Sequence, residues 1–315
     1  MNKKIEKILY LPNPRGFCAG VERAINIVEL SLEKYGPPIY VRHEIVHNPW
    51  VVKDLESKGV VFVDELDDVP KDARVIFSAH GVSSKVKEEA KVKEMPFIDA
   101  TCPLVLKVHI EAKRHFENGA HIFLIGHKGH PEVDGTMGQI PIESITLIEN
   151  LSDIDNLKAQ DFNKVALITQ TTLSVDDTSK LIKALKNKFP NLIEPPREDI
   201  CYATTNRQAA VKSIAKKCDA IYVIGGENSS NSLRLVEVAS QSGCKNTFLI
   251  SEINSINWDE MEDFHSIGLT ASASAPEVLI NEFLDLFKNK FKVKIEKSTI
   301  ADENISFKIP KELRE

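Results

Sequence analysis

The sequence has no apolar run long enough to cross a membrane and no excess of positive charge. No stretch approaches the roughly 18 consecutive apolar residues of a membrane-spanning helix, and residues 1–7 lack the apolar core of a signal peptide. Its 315 residues carry a net charge of −6, and the lysines are scattered over amphipathic segments. Because nucleic-acid binding requires a basic patch, such a partner is disfavoured. These absences predict a cytoplasmic protein that binds neither nucleic acid nor a membrane.

Cysteine is also scarce, with five residues and no Cys-x-x-Cys pair. An odd number of cysteines in a reducing compartment favours thiolate chemistry over a disulfide framework. The missing pair removes the usual sequence signal for a zinc or iron–sulfur site. Length and a hydrophobic content of 42% allow a large core in about two domains, or more if they are compact.

Three of the five cysteines occur in matched settings. Cys18, Cys102 and Cys201 each follow a short segment with strand or turn character and precede a pattern with helical spacing. A basic residue comes shortly after each cysteine, namely Arg23, Lys107 and Arg207. This pattern predicts one structural unit used three times, each presenting a cysteine at the N-terminus of a helix, and it raises the expected domain count to three.

The N-terminus of a helix favours the thiolate form of cysteine. Its free N–H groups and partial positive charge lower a thiol's pKa, and the thiolate is the form that binds metal. We therefore expect the three cysteines to hold one metal centre, although any single one could be an ordinary buried cysteine. Zinc bound by three cysteines and a histidine, or an iron–sulfur cluster with one iron open, both fit. Cys218 and Cys244 are interpreted as structural.

Strand and helix signals alternate along most of the chain. This alternation predicts an α/β protein with mainly parallel sheets and helices on both faces, which binds its ligands at the carboxyl ends of the strands. The predicted strands cover residues 8–11, 39–41, 60–63, 75–77, 96–98, 121–125, 165–168, 220–224 and 267–270.

Polar clusters follow several of these strands. The loop 228–232 lacks the lysine of a Walker P-loop, but its hydroxyls, amides and following helix make a donor-rich cup for a phosphate. Ser274, before another helix, offers the same chemistry. His47, His80 and His130 can add N–H donors or positive charge. Helix capping and structural histidines are the ordinary interpretation of any one of these residues.

Glu132 is the acid that the sequence singles out. We expect it in the loop 127–136, where a carboxyl in a closed pocket can carry protons at neutral pH. The alternative is a solvated surface glutamate. Thr171, in the Gln170-Thr171-Thr172 turn, is expected to relay a proton or to hold a substrate hydroxyl. An ordinary helix N-cap within residues 169–174 is the equal alternative.

Eight motifs along the chain carry a resemblance to one known family. The motifs are Pro14-Arg-Gly-Phe-Cys18-Ala-Gly-Val, Arg42-His-Glu-Ile-Val-His47-Asn, Ala79-His80-Gly-Val-Ser, Asp99-Ala-Thr-Cys102-Pro, Gly126-His-Lys-Gly-His130-Pro-Glu132-Val, Gln170-Thr-Thr-Leu-Ser, Asp199-Ile-Cys201-Tyr-Ala-Thr-Thr-Asn-Arg and Asn228-Ser-Ser-Asn231. Together they resemble the 4-hydroxy-3-methylbut-2-enyl diphosphate reductases (LytB). The match runs in register from about Ile8 to residues 310–314.

The resemblance implies a fold and a cofactor. The fold would be three similar α/β units with mainly parallel sheets, arranged as a trefoil around one central [4Fe–4S] cluster per chain. Cys18, Cys102 and Cys201 would hold this cluster. The implied segments are 1–19 (an N-terminal strand and the Cys18 loop, packing with the third unit), 20–102, 103–199 and 200–290 (the three units), and 291–315 (a C-terminal tail).

The resemblance also implies an activity. It is the reductive dehydroxylation of (E)-4-hydroxy-3-methylbut-2-enyl diphosphate to isopentenyl and dimethylallyl diphosphate, the last step of the methylerythritol phosphate pathway, with electrons from a donor such as ferredoxin or flavodoxin. Glu132 and Thr171 would deliver protons. The substrate-binding residues would be His47, His80, His130, Thr171, Ser229, Ser230, Asn231 and Ser274. A zinc-dependent phosphoester hydrolase and a non-enzymatic iron–sulfur sensor or electron carrier stay as alternatives.

Two positions depart from the family pattern. Glu227 stands where the family often has lysine, and Ser272 replaces a frequent glycine. They are expected to affect affinity for the phosphates more than activity. Phe307 and Ile309 in the tail suggest an edge strand or a strap over the site.

Overall fold

Strands and helices alternate through the computed structural model, which describes residues 4–158 and 162–314. Residues 1–3 and 315, at the outer ends of the predicted N-terminal segment and tail, and residues 159–161 lie outside this description. The strands are β1 (Glu6–Asn13), β2 (Ile39–Arg42), β3 (Val60–Val63), β4 (Val75–Phe77), β5 (Phe97–Asp99), β6 (His121–Ile125), β7 (Ile145–Ile148), β8 (Val165–Thr169), β9 (Ala220–Ile224), β10 (Asn246–Ile250), β11 (Ser266–Ala271) and β12 (Lys292–Thr299). The helices are α1 (Ala19–Tyr35), α2 (Pro49–Ser57), α3 (Ser84–Val92), α4 (Pro103–Glu117), α5 (Pro131–Met137), α6 (Leu151–Asn156), α7 (Val175–Lys188), α8 (Tyr202–Ala215), α9 (Ser230–Gln241) and α10 (Glu277–Lys290).

The contacts within the chain divide it into two compact units. Unit 1 takes in the chain up to Val21, His47–Asp54 and Tyr202–Ile305. Unit 2 takes in Glu22–Val46, Leu55–Cys201 and the segment from Ser306 onwards. Because several segments make up each unit, residues far apart in sequence share one core.

Unit 1 is built on a five-stranded sheet in the order β10-β9-β11-β1-β12, with all pairs parallel. Strand β1 pairs with β11 on one side and along its whole length with β12 on the other. Its alternating pattern buries Leu9 and Leu11 in a core that includes Phe283 and Phe287 of α10. The helix therefore covers one face of the sheet, as parallel sheets require.

Strand β12 forms an edge of this sheet. Lys292, Lys294 and Lys297 are exposed along it, and such charges protect an edge strand from pairing with another chain. Phe307 and Ile309 lie in no strand, so an edge strand at that position is wrong. The strand lies earlier, where the alternation in Lys292–Thr299 fits a half-exposed pleat.

Unit 2 contains two smaller parallel sheets, ordered β3-β2-β4-β5 and β7-β6-β8. Helix α5 joins them through a close backbone approach. A Cβ on Gly135 would lie 3.2 Å from the carbonyl oxygen of Gly81, and the Gln139 side chain donates to the Val82 carbonyl at 2.8 Å. This contact brings the loop after β4 next to the C-terminal half of α5.

The prediction of an α/β fold with mainly parallel sheets is confirmed, since the described residues form three parallel sheets. The predicted strands are all present, and β7, β10 and β12 were missed. In the part of the chain that the structure describes, no helix combines the length and apolar character needed to cross a membrane. The boundaries of the three expected units stay a prediction.

Candidate functional site

The three matched cysteines lie at equivalent places. Each comes one residue before a helix, because α1 begins at Ala19, α4 at Pro103 and α8 at Tyr202. All three are partly exposed, whereas Cys218 and Cys244 are buried in a hydrophobic core of unit 1. The local placement expected from the sequence is thus present in all three copies.

The backbone at each cysteine repeats the same hydrogen bond. Each cysteine N–H donates to a carbonyl two residues beyond the end of a parallel strand. The pairs are Cys18 with Ala273 after β11 (3.2 Å), Cys102 with Ala79 after β4 (3.0 Å) and Cys201 with Thr171 after β8 (3.0 Å). The third copy has no full strand before its cysteine among the described residues, because the chain before Cys201 pairs with β8 only through an isolated bridge at Ile193. A shared backbone device therefore presents three thiols, a donor set that fits an iron–sulfur cluster.

The expected fall in thiol pKa is not found at Cys18. Burial raises the pKa of its thiol, and the N–H groups of Val21 and Gly20 and the Arg207 guanidinium only partly oppose that rise. The expectation from the helix N-terminus is wrong here because removal of water outweighs the helix charge. A metal bound at Cys18 would favour its thiolate, since a coordinating thiol is deprotonated.

Unit 1 gathers a set of polar residues that we call the unit 1 cup. Its members are His47, Asn228, Ser229, Ser230, Asn231, Ser272 and Ser274. The Ser274 hydroxyl donates to the His47 carbonyl at 2.9 Å, and the Asn228 amide lies 3.4 Å from His47 Nδ1. Gly226 permits this approach, because a Cβ there would lie 2.8 Å from the His47 carbonyl oxygen. Three sequence segments thus bring the predicted phosphate donors of this unit together.

Three members of the unit 1 cup also have structural roles. Ser229 caps α9 by accepting from the Ser232 N–H at 3.3 Å, and Ser230 is the first residue of that helix. Asn231 accepts from the Ala273 N–H at 2.9 Å, and the Ala273 carbonyl is the acceptor for Cys18. Asn231 therefore connects the cup to the loop that positions this cysteine.

The two departures from the family pattern occupy different surroundings. Glu227 is exposed and accepts a hydrogen bond from Ser251 at 3.3 Å. Ser272 is fully buried, and its hydroxyl lies 3.3 Å from that of Ser274. Gly225 leaves space for it, because a Cβ on Gly225 would lie 2.6 Å from the Ser272 hydroxyl. Ser272 therefore adds a hydroxyl to the cup.

Glu132 is buried in unit 2, in the first turn of α5. The loop expected over residues 127–136 is wrong from Pro131 onwards, because proline suits the first helical position and His130 caps the helix. Only 3% of Glu132 is exposed. Its carboxylate accepts from the Thr171 N–H at 2.6 Å and from the Thr171 hydroxyl at 3.0 Å. It is not a solvated surface residue.

The environment of Glu132 suits proton transfer near neutral pH. Burial raises its pKa from 4.5 to about 7, although both hydrogen bonds from Thr171 favour the charged form. The helix cap expected within residues 169–174 is present at Ser174, which accepts from the Asp177 N–H at 3.2 Å. Thr171 itself bonds to Glu132 through both its N–H and its hydroxyl.

His80 and His130 lie beside each other in unit 2. Their ring centroids are 5.8 Å apart and the rings are nearly perpendicular. The Glu132 N–H donates to His130 Nδ1 at 3.1 Å. An imidazole that accepts at Nδ1 carries its proton at Nε2 when neutral, so His130 can present an N–H donor.

Sequence reasoning gave Asp199 no role. It is buried, accepts from the Thr169 N–H at 2.9 Å and contacts Lys107 Nζ at 3.1 Å. Burial raises its pKa to about 6. The only sequence signal was an acid shortly before a cysteine, a feature shared with Asp99, which accepts from the Thr101 N–H.

The described residues contain no group of three or more His, Cys, Asp or Glu side chains arranged to hold one metal ion. Of the residues predicted for the site, unit 1 contains Cys18, His47, Ser229, Ser230, Asn231 and Ser274. Unit 2 contains His80, Cys102, His130, Glu132, Thr171 and Cys201.

Comparison with known proteins gives one consistent result. The model of the LytB protein family matches residues 9–288. The chain is 54% identical over 315 residues to the 4-hydroxy-3-methylbut-2-enyl diphosphate reductase of Paracoccus denitrificans (strain Pd 1222), covering 100% of both chains. It is 54% identical to the protein of that name from Ruegeria sp. (strain TM1040), covering 97% of each.

Solved structures agree with this result. The E-1-hydroxy-2-methyl-but-2-enyl-4-diphosphate reductase from Plasmodium falciparum has a TM-score of 0.92 and 41% identity, covering 98% of this chain and 97% of that one. A structure of (E)-4-hydroxy-3-methyl-but-2-enyl diphosphate reductase, the terminal enzyme of the non-mevalonate pathway, has a TM-score of 0.64 and 29% identity, covering 90% and 99%. None of these matches supports a zinc hydrolase or an iron–sulfur sensor. The chain belongs to the LytB protein family.

Proposed function

We propose that this chain reduces (E)-4-hydroxy-3-methylbut-2-enyl diphosphate to isopentenyl diphosphate and dimethylallyl diphosphate. The reaction adds two electrons and two protons, breaks the bond from carbon to the hydroxyl oxygen and releases water. Full-length relatives named for this substrate support the proposal.

The observation that carries the proposal is the threefold cysteine setting. Cys18, Cys102 and Cys201 each precede a helix and donate their N–H groups to equivalent carbonyls. These residues would hold one [4Fe–4S] cluster per chain. When bound, the cluster supplies electrons and, with only three thiolates, one iron open to act as a Lewis acid on the hydroxyl oxygen.

We assign the polar residues of both units to substrate binding. A diphosphate is an anion recognised by N–H and O–H donors, which the unit 1 cup supplies through His47, Ser229, Ser230, Asn231 and Ser274. In unit 2, His80 and His130 add ring donors, and we assign Thr171 to the substrate as well as to Glu132.

Glu132 would supply the protons. A pKa of about 7 leaves it protonated in about half of the molecules at neutral pH, which suits a group that must give and then regain a proton. The Thr171 hydroxyl bonds to its carboxylate and can pass a proton towards a substrate oxygen. The departing hydroxyl needs such a proton in order to leave as water.

The surroundings of the reaction also belong to the proposal. We assign the chain to the cytoplasm, where a ferredoxin or flavodoxin would supply single electrons. The trefoil of three units, with segments 1–19, 20–102, 103–199, 200–290 and 291–315, is the arrangement that we propose for the whole chain.

A matched pair of cysteine variants tests the proposal. After anaerobic reconstitution, the unmodified chain and Cys218→Ser should carry about four irons and four sulfides and convert the substrate to the two diphosphate products. Cys102→Ser should lose cluster and activity together. A colourless chain that binds zinc and no iron, or a Cys102→Ser variant with full activity and no iron, would refute the proposal.

A further inference from the structure

The basic residues that follow the three cysteines reach back to backbone that leads to a cysteine. Arg23 Nη1 donates to the Ala100 and Thr101 carbonyls at 3.2 and 3.1 Å. These are the two residues before Cys102. Arg23 itself comes five residues after Cys18. A residue from the helix of the first cysteine therefore fixes the loop of the second.

The second basic residue does the same for the third cysteine. Lys107, five residues after Cys102, donates to the Arg197 and Glu198 carbonyls at 3.0 and 3.3 Å and to the Asp199 carboxylate at 3.1 Å. Asp199 comes two residues before Cys201 and also accepts from the Thr169 N–H. Lys107 thereby fixes the segment that leads into Cys201.

The third basic residue closes the cycle. Arg207, six residues after Cys201 and fully buried, donates to the Gly16 carbonyl from Nε at 3.0 Å and from Nη2 at 2.6 Å, and to the Phe17 carbonyl at 3.0 Å. These are the two residues before Cys18. Both arginines therefore bind the same two positions, one and two residues before the next cysteine.

The three contacts connect the three cysteine segments in a cycle. The first cysteine's helix holds the second loop, the second helix holds the third loop and the third helix holds the first loop. Local helix packing does not explain such a pattern, because the bonded residues are 77 to 191 positions apart in sequence. Three independent contacts with the same direction indicate a shared task at the cysteines.

We propose that Arg23, Lys107 and Arg207 are positioning residues that each fix the loop of the next cysteine in the cycle, and that together they retain the iron–sulfur cluster. The inference rests on the proposed function for the identity of the cluster. Each carbonyl that accepts from a cation cannot turn towards solvent without losing a charge-assisted bond.

Alkylation of the cysteines in the full-length, cluster-free chain tests the direction of the contacts. Lys107→Met removes the charge and shortens the unbranched side chain by only one atom. Lys113→Met is a matched control at an exposed position of the same helix. Mass spectrometry of peptides then gives the alkylation rate of every cysteine. We expect Lys107→Met to raise the rate at Cys201 by about tenfold or more and to leave that of Cys102, on its own helix, unchanged.

Two further variants keep the test independent of one substitution. Arg23→Met should expose Cys102 selectively, and Lys107→Arg should restore protection of Cys201. Equal exposure of all five cysteines, including the buried Cys218 and Cys244, would indicate general loosening and would overturn the positioning role. Exposure of Cys102 by Lys107→Met would overturn the cyclic assignment.

Cluster retention supplies the second measurement. Reconstituted Lys107→Met should release iron to a chelator about tenfold faster than Lys113→Met, as followed by the visible spectrum. Equal rates would overturn the inference while leaving the proposed function intact. An unmodified chain that never takes up iron and sulfide would refute the proposed function and with it the retention role, whereas the alkylation pattern would still report on the contacts.

Discussion

The hydrogen bond from the Thr171 hydroxyl to Glu132 should set the pH at which the enzyme loses activity. Thr171→Val removes this hydroxyl, keeps the shape of the side chain and leaves the Thr171 N–H donor in place. Both donors favour the charged carboxylate, so removing one of them disfavours ionisation. The pKa of Glu132 should therefore rise above its present value of about 7.

The size of the change follows from the bond that is lost. A hydrogen bond to a charged group contributes about 1.5 to 3 kcal/mol, and one pKa unit corresponds to about 1.4 kcal/mol. The Oγ1 to Oε2 distance of 3.0 Å is ordinary, which favours the lower end of that range. We expect the pKa of Glu132 to move up by about one unit.

The assay is kcat/KM against pH with electrochemically reduced viologen, whose potential does not depend on pH. A proton donor must be protonated, so activity should fall as the pH rises through the pKa of Glu132. The midpoint should move from about 7 towards 8 in Thr171→Val. Thr172→Val is the matched control, because the Thr172 hydroxyl accepts from Gln170 instead. Equal midpoints in the two variants, or a downward shift in Thr171→Val, would refute the role given to this bond.

Two more predictions concern Glu132 and Asn231. The raised pKa of Glu132 means that the folded state keeps a proton that the unfolded chain loses. The contribution of this proton to the free energy of unfolding is therefore fully present below pH 4.5 and is lost as the pH rises through about 7. The change is up to about 3 kcal/mol. Glu132→Gln should lack this fall in chemical denaturation and should slow turnover by about 10²- to 10⁴-fold; an unchanged fall would place the proton elsewhere. Asn231→Ala should weaken both cluster retention and substrate binding, since it removes the acceptor for Ala273 that supports the Cys18 loop, whereas Asn231→Asp keeps that acceptor and should weaken substrate binding alone. Identical cluster loss in both Asn231 variants would contradict this division.

The fold was largely predictable because its signals are local. Short apolar runs followed by glycine, proline and polar residues mark each strand that enters a loop at its carboxyl end. Pro103 marks the start of α4 and Gly59 follows the end of α2. The missed strands lack those signals. Strand β12 alternates lysines with half-buried residues, and its pairing with β1 joins Glu6 to Lys292, which no local pattern records.

The candidate site was predictable in composition but not in geometry. Its residues could be named because cysteine, histidine, serine and a lone glutamate at strand ends are chemically distinctive. The burial of Glu132 could not be predicted from the sequence, because it depends on the Thr171 turn, 39 residues away. The pKa of Cys18 was misjudged for the same reason, since the helix charge is local and the loss of water is a property of the folded core.

The same limit applies to the basic residues after the cysteines, whose role the sequence does not indicate. Their spacing from the cysteines is local, but their acceptors are distant. The choice of residue still follows from physical chemistry. Arg207 is fully buried, and its guanidinium fixes two adjacent carbonyls while also pairing with the Glu303 carboxylate, a task that suits a planar group with several donors in fixed directions. Lys107 is partly exposed and contacts its carbonyls and its carboxylate through one nitrogen, which a flexible ammonium can do. Arg207→Lys should therefore disturb the loop before Cys18 more than Lys107→Arg disturbs the loop before Cys201.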